Sequence, residues 1–306
     1  MNAVQKLSRI ALVSREPESL AAFYESAFGF ARGDETQLAG TALESLLCIP
    51  GAKTRLIPLR LGGETIELLG IQPEGRAYPA NVPAWSNLFQ HFAIVVSSMA
   101  AAYAKLSAQA GWIPISTEGP QALPASSGGV TAFKFRDPEG HPLELLAFPP
   151  DTVPERWQRS DATGFLGIDH SAISVADTFQ SIEFYRRLGL QRSGRSCNTG
   201  PAQDRLDGTE GTIVEVTGLA PVEVPPHVEL LCYRKVLDRN RNVSGLNDVA
   251  ATQLILSADS TAALDALCTQ TADALVSGPV PFEDGVARAM IRDPDGHLVR
   301  LEAPMT

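Results

Sequence analysis

The chain has little of what would place it in several large classes of protein. Its 306 residues include only four cysteines, Cys48, Cys197, Cys232 and Cys268, and no two are spaced as a CxxC pair. That spacing excludes a zinc-ribbon ligand set and argues against a disulfide framework, so reduced thiols in a cytoplasmic protein are expected. No run of roughly 18 apolar residues occurs, and the opening MNAVQKLSRIALVSREPE has no long apolar core, so neither a membrane span nor an export signal is expected. Positive charge is also scarce. With 25 Lys and Arg against 35 Asp and Glu, the net charge is −10, which repels nucleic acid and anionic membrane surfaces. The arginines at 186–187 and 234–241 are mixed with acids and read as solvated surface. No glycine-rich phosphate loop is present. What is left is an ordinary globular composition, 44% hydrophobic and 20% charged, in a chain long enough for two domains.

What is present is a phrase used twice. Residues Phe135 to Phe148 read FRDPEGHPLELLAF, and Ile291 to Pro304 read IRDPDGHLVRLEAP. Each copy predicts a strand, an Asp-Pro-acid-Gly turn and a second strand. Each half divides again. Four segments open with a short apolar strand leading into a helix: SRIALVS (Ser8–Ser14), QHFAIVVS (Gln90–Ser97), DHSAISVAD (Asp169–Asp177) and ATQLILSAD (Ala251–Asp259). Matching their apolar positions makes Arg9, His91, His170 and Thr252 equivalent.

Helical stripes follow. Leu20, Phe23, Tyr24 and Ala27 share one face before Gly29; Phe179, Ile182 and Tyr185 do so before Gly189; Met99, Tyr103, Leu106 and Ala110 do so before Gly111. At that spacing the aromatics are core residues. Alternating stretches then predict pairs of strands, ending near Leu69, Phe148, Tyr233 and Glu302. The unit is β-α-β-β-β, used four times. The expected fold class is α+β, with modules at about 5–71, 88–149, 166–234 and 249–304. They group into an amino-terminal domain, 1–150, and a carboxy-terminal domain, 165–306, joined by a linker over 151–164.

The last strand of each module carries its own equivalent point: Glu67, Glu144, Glu229 and, in the fourth, Arg300. A carboxylate among apolar strand neighbours needs a counter-charge or a metal. His and Glu on neighbouring strands form a nitrogen and oxygen donor set for a divalent transition ion. A lone His at a strand start is more often structural, and a lone Glu in VELL more often faces solvent. The repetition of both at equivalent points argues for metal. His141 and His297 read as turn residues.

DHSAISVAD with FYRRLGL (Phe184–Leu190), AAFYESAFGF (Ala21–Phe30) and the two DPxGH hairpins resemble the vicinal oxygen chelate superfamily, which includes glyoxalase I, extradiol dioxygenases and bleomycin resistance proteins. The resemblance covers nearly the whole chain. It implies βαβββ modules paired into two cup-shaped half-barrels of mixed β-sheet, each able to hold one divalent metal. Carried over residue by residue, the ligand positions are Glu67 in module one, His91 and Glu144 in module two, and His170 and Glu229 in module three. Arg9, Thr252 and Arg300 depart from the pattern.

If modules pair in sequence order, both cups are incomplete. If the second pairs with the third, one cup receives His91, Glu144, His170 and Glu229, and the other gathers every lost ligand. The second arrangement is preferred on that ground.

The resemblance then implies a glyoxalase-like lyase or isomerase with one divalent ion (Zn, Ni, Co, Mn or Fe). It would act on a small substrate with vicinal oxygens through a metal-stabilised enediolate, with Glu144 as base and Glu229 as its partner. One alternative is an extradiol-type dioxygenase using Fe(II), with His227 and Tyr233 nearby. Another is a non-catalytic binder whose apolar cup is lined by Trp112, Phe133, Phe135 and Leu146. Arg195, Arg205 and Arg241 are candidates for an anionic tail. The expected assembly is a monomer or homodimer.

Overall fold

A computed structural model describes residues 4–158, 164–234 and 243–305. Module one comprises β1 (Lys6–Val13), α1 (Pro17–Phe28), the short β2 (Ala31–Arg32) and β3 (Thr36–Ala39), α2 (Thr41–Leu47), β4 (Lys53–Leu61) and β5 (Glu64–Gln72). Module two comprises β6 (Gln90–Val96), α3 (Met99–Ser107), the short β7 (Ile113–Pro114) and β8 (Gln121–Ala122), β9 (Thr131–Arg136) and β10 (Pro142–Ala147). Module three comprises β11 (Phe165–Ser174), α4 (Thr178–Arg187), β12 (Gln191–Thr199), α5 (Pro201–Asp207), β13 (Ile213–Ala220) and β14 (His227–Tyr233). Module four comprises β15 (Gln253–Ser257), α6 (Thr261–Gln270), β16 (Leu275–Pro281), β17 (Val286–Arg292) and β18 (Leu298–Pro304). Local chemistry sets the helix starts. Ser98, Asp177 and Ser260 each accept a backbone N–H in the first turn, and Pro17 opens α1.

The strands form two mixed sheets, and each sheet takes one module from each half of the chain. The first runs β16-β17-β18-β15-β1-β5-β4-β2, with β3 on β4. The second runs β12-β13-β14-β11-β6-β10-β9-β7, with β8 on β9. The seams are antiparallel pairs of opening strands, β1 with β15 and β6 with β11. Modules one and four therefore share one sheet, and modules two and three the other.

The hydrophobic cores run the other way. Ile10, Leu12, Tyr24 and Phe28 of module one pack with Phe92, Ile94, Phe133 and Leu145 of module two. Ile173, Tyr185 and Leu230 of module three pack with Leu256, Leu264 and Leu301 of module four. Each half is thus glued through one face of its strands. The opposite faces are left to build the cups, because strand side chains alternate.

The repeated DPxGH turns tie the sheets together. In the first copy, Tyr24 donates to Asp137 Oδ2 at 3.1 Å, His141 Nδ1 meets the same oxygen at 2.8 Å, and His141 Nε2 meets the Val13 carbonyl at 3.0 Å. In the second, Tyr185 donates to Asp293 and His297 Nε2 meets the Ser174 carbonyl at 2.8 Å. The turn histidines are therefore structural bridges between modules.

Both ring nitrogens of His141 face acceptors, an arrangement that favours the doubly protonated ring. Burial alone would lower its pKa, but the Asp137 carboxylate outweighs this and raises it above 6.5. The bridge accordingly stabilises fully below about pH 6.5 and weakens as pH rises through the raised folded value. His141→Gln is expected to destabilise the chain by about 1–3 kcal/mol. The gap from wild type in thermal unfolding should narrow as the pH becomes alkaline. A gap that is constant with pH would count against a charged ring.

Candidate metal centre

The strand register of the second sheet brings four side chains to one point on its concave face. Ala93 on β6 lies between Glu144 on β10 and His170 on β11. Ala172 on β11 lies between His91 on β6 and Glu229 on β14. Two small residues form the floor, and two histidines and two glutamates rise around them. His91 Nε2 is 2.9 Å from Glu144 Oε2, and His170 Nε2 is 3.7 Å from the same oxygen and 3.6 Å from Glu229 Oε2. The longer two exceed hydrogen-bond length. They are close to the spacing of donors around one ion, about 3–3.5 Å for metal–ligand bonds of about 2.0–2.2 Å.

Asp169 joins the set through a β-bulge. The β6–β11 register jumps between Ile168 and His170, leaving Asp169 as the extra residue. A regular strand would send Asp169 to the opposite face, and the bulge turns it beside its neighbour. Its Oδ2 lies 3.0 Å from His170 Nδ1. The start of this strand is held where Gly167 passes Glu64: a Cβ there would sit 2.2 Å from Glu64 Oε2, an oxygen that accepts the Ile168 N–H.

With Nδ1 held by a carboxylate, His170 aims Nε2 at the glutamates, the arrangement that orients a ligating imidazole. His91 has no such partner: its Nδ1 is buried without a hydrogen bond among the described residues. Asp169→Asn is expected to lower metal affinity about 10–100-fold, read by competition with a chromophoric chelator. Unchanged affinity would remove Asp169 from an orienting role.

The charge states suit a cation. Burial raises the Glu144 carboxyl, but His170 and His91 outweigh it and hold it well below the usual carboxylate range. Glu229 is likewise lowered, against its burial, by His170 and His227. Burial lowers His91, leaving a neutral ring as a metal requires. His170 is raised well above its usual value despite burial, because Glu229, Asp169 and Glu144 surround it.

The model of the Glyoxalase/Bleomycin resistance protein/Dioxygenase superfamily matches residues 6–145 and 167–301. The chain belongs to that superfamily. Among solved structures, glyoxalase I from Zea mays is 16% identical, with 98% of this chain and 92% of that chain covered and a TM-score of 0.61. A Bacillus subtilis str. 168 protein provisionally named a dioxygenase is 13% identical, with coverages of 99% and 86% and a TM-score of 0.57. At these identities the likeness shows the fold. No curated protein sequence matched the chain.

This superfamily member carries a second cup, built differently. In the first sheet Ala11 lies between Glu67 and Gln253, and Ile255 lies between Arg9 and Arg300. By register Arg9 is the equivalent of His170, and the equivalent of His91 is Gln253. Thr252, expected from the spacing of apolar positions, is one residue off, and a one-residue slip on a strand changes face. Arg9 and Arg300 each pair with Glu67 and Glu302, and Arg288 joins Glu302 at 3.2 Å. Guanidinium groups occupy the place of a cation. Leu43, Leu46 and Leu47 of α2 pack with Phe282 and Met290 in the same cup. The space left beside Arg300 is about 30 Å³, the room of one or two waters.

The second sheet keeps an open cavity of about 420 Å³ over its four ligand candidates. Leu146 lines it, but Trp112, Phe133 and Phe135 do not. They pack on the opposite face, in the core between modules one and two, because they sit out of phase with the cup residues. His227 and Tyr233 do line the cavity, and so does Arg195, which is paired to Glu215 at 2.6 Å. Arg205 bonds Gln121 outside the cavity, and Arg241 lies outside the described residues. Lys134, Gln203 and Asp169 line the cavity unannounced by any repeat. The alternation Phe133-Lys134-Phe135 was the available signal that Lys134 faces the cup.

Proposed function

We propose that this chain is a divalent-metal-dependent, glyoxalase-like lyase or isomerase acting on a small substrate with vicinal oxygens. The observation that carries this reading is the complete two-His, two-Glu set, brought from four strands to the floor of one open cavity. His91, Glu144, His170 and Glu229 would hold the ion, which when bound supplies a Lewis acid for vicinal oxygens.

The chain's own residues do the rest. Glu144 stays ionised between two histidines and can accept a proton from a carbon next to a carbonyl. Glu229, with about a quarter of its side chain exposed, stands across His170 and can return a proton to the adjoining atom. Apolar walls including Val214, Leu231 and Phe148 limit water around them.

Mass-spectrometric metal analysis of protein purified anaerobically, without chelator or nickel affinity resin, is expected to find about one metal per chain. A chain that carries none and takes none up on titration would leave a non-catalytic binder as the better reading. A second enzymatic reading rests on the grouping of His91, Glu144 and His170 within ligand reach of one another. Two histidines and one carboxylate form the triad of Fe(II) oxygenases. Iron in the analysis, with Fe(II)-dependent oxygen uptake on catechols, would favour ring cleavage over isomerisation.

A further inference from the structure

A second polar station lies in the same cavity, beside the four ligand candidates. Lys134 on β9 stands directly across from Glu144 on β10. Its ammonium is buried and bonds Asp207 Oδ1 at 2.7 Å. Asp207 closes α5 in module three, so this contact reaches from module two to module three. Asp207 Oδ2 also accepts from Gln203 Nε2 at 2.7 Å and from the Tyr233 hydroxyl at 3.1 Å.

That carboxylate fixes the amide of Gln203: the NH₂ end must face Asp207, so the carbonyl end faces away. Gln203 is 3% exposed, yet its Oε1 has no hydrogen-bond partner among the described residues. Lys134 has three ammonium protons, and one is used on Asp207. Both residues line the cavity. An unmatched buried acceptor costs about 1–3 kcal/mol, and Asp207 ties this amide and the Lys134 ammonium to its two carboxylate oxygens.

We infer that Lys134 and Gln203 form a substrate-recognition station, and that the substrate carries a hydroxyl group beyond its two metal-binding oxygens. A hydroxyl oxygen accepts from the ammonium while its proton goes to the amide carbonyl, which satisfies both. A carboxylate would match Lys134 but would face Gln203 Oε1 with no proton to offer. It would also enter a cavity already lined by Glu144, Glu229 and Asp169. The apolar walls, among them Leu123, Val130, Leu146 and Val216, suit a neutral body for the rest of the molecule. This inference rests on the metal-centre reading above and adds the substrate class to it.

The test is calorimetric titration of the zinc-loaded full chain with three catechols that present the same vicinal oxygens: 4-ethylcatechol, 4-(2-hydroxyethyl)catechol and 3,4-dihydroxyphenylacetate. The hydroxyethyl compound is expected to bind at least about 10-fold tighter than the ethyl compound. Gln203→Leu should erase that preference while leaving zinc content unchanged, and Lys134→Gln, which also removes a positive charge from beside Glu144, should erase the preference as well. Lys134→Gln strands Asp207, so if it fails to fold, Lys134→Gln combined with Asp207→Asn removes both charges together. Equal binding of the ethyl and hydroxyethyl compounds to zinc-loaded wild type overturns the inference and leaves the metal centre standing. Tightest binding by the carboxylate, lost in the Lys134 variant and kept in Gln203→Leu, overturns the hydroxyl in favour of an anion. A chain that takes up no zinc overturns the metal centre and this inference with it.

Discussion

Glu144→Gln is expected to reduce turnover about 10²–10⁴-fold while part of the metal affinity survives. The amide keeps the shape and one oxygen donor, so the ion retains His91, His170 and Glu229. What is lost is a group that can take a proton. Glu144 is 6% exposed, and its Oε2 sits 2.9 Å from His91 and 3.7 Å from His170, within reach of both histidines. The measurement is solvent exchange: deuterium uptake from D₂O, followed by NMR, at the carbon next to the carbonyl of a vicinal-oxygen substrate. Exchange at the wild-type rate in a zinc-loaded Glu144→Gln chain would dismiss Glu144 as the base. A variant that loses both metal and exchange would make Glu144 chiefly a ligand and move the proton-transfer role to Glu229.

The second large effect belongs to the other cup. Arg300→Ala is expected to destabilise the chain by about 3–5 kcal/mol, because it leaves buried Glu67 and Glu302 short of counter-charge. In thermal unfolding this corresponds to a drop of roughly 5–8 °C. Zinc content should not change, since the ligand candidates lie in the other sheet.

The same cluster predicts acid sensitivity. Burial raises the Glu302 carboxyl, but Arg300, Arg9 and Arg288 outweigh this and bring it down to about 2. A lowered carboxylate contributes stability that is present above its ordinary 4.5 and lost as pH falls toward 2. Wild type should therefore lose stability through that window, and Arg300→Ala should lose less of it. A fully apolar replacement of Arg300, Glu67 and Glu302 together is expected to recover much of the loss. If Arg300→Ala unfolds at the wild-type temperature, the guanidinium is not the stand-in for a cation.

Repetition made much of this protein legible. Four opening strands, four closing strands and the positions of His91, Glu144, His170 and Glu229 follow from apolar periodicity, because alternation on a strand is a property of the local chain. Glu144 and Glu229 stand out in the sequence because each sits in a strongly patterned strand, LELL or VELL. The preference for pairing module two with module three came from counting kept and lost ligands, and the β6–β11 hydrogen bonds supply the physical pairing.

Other features are not local. Gln253 was missed for Thr252 because apolar spacing tolerates a slip of one residue, whereas the pairing of Gln253 with Ala11 does not. Asp169 reaches His170 only through a bulge that depends on the neighbouring strand. Asp207 and Gln203 sit on α5, a seven-residue helix too short to show a period, and their chemistry depends on Lys134, 73 residues away from Asp207. The sequence by itself determined the modules and which side chains could ligate. Only the tertiary structure decided which cup stayed open and which filled with arginine and leucine, because that depends on how strands distant in the chain share a sheet.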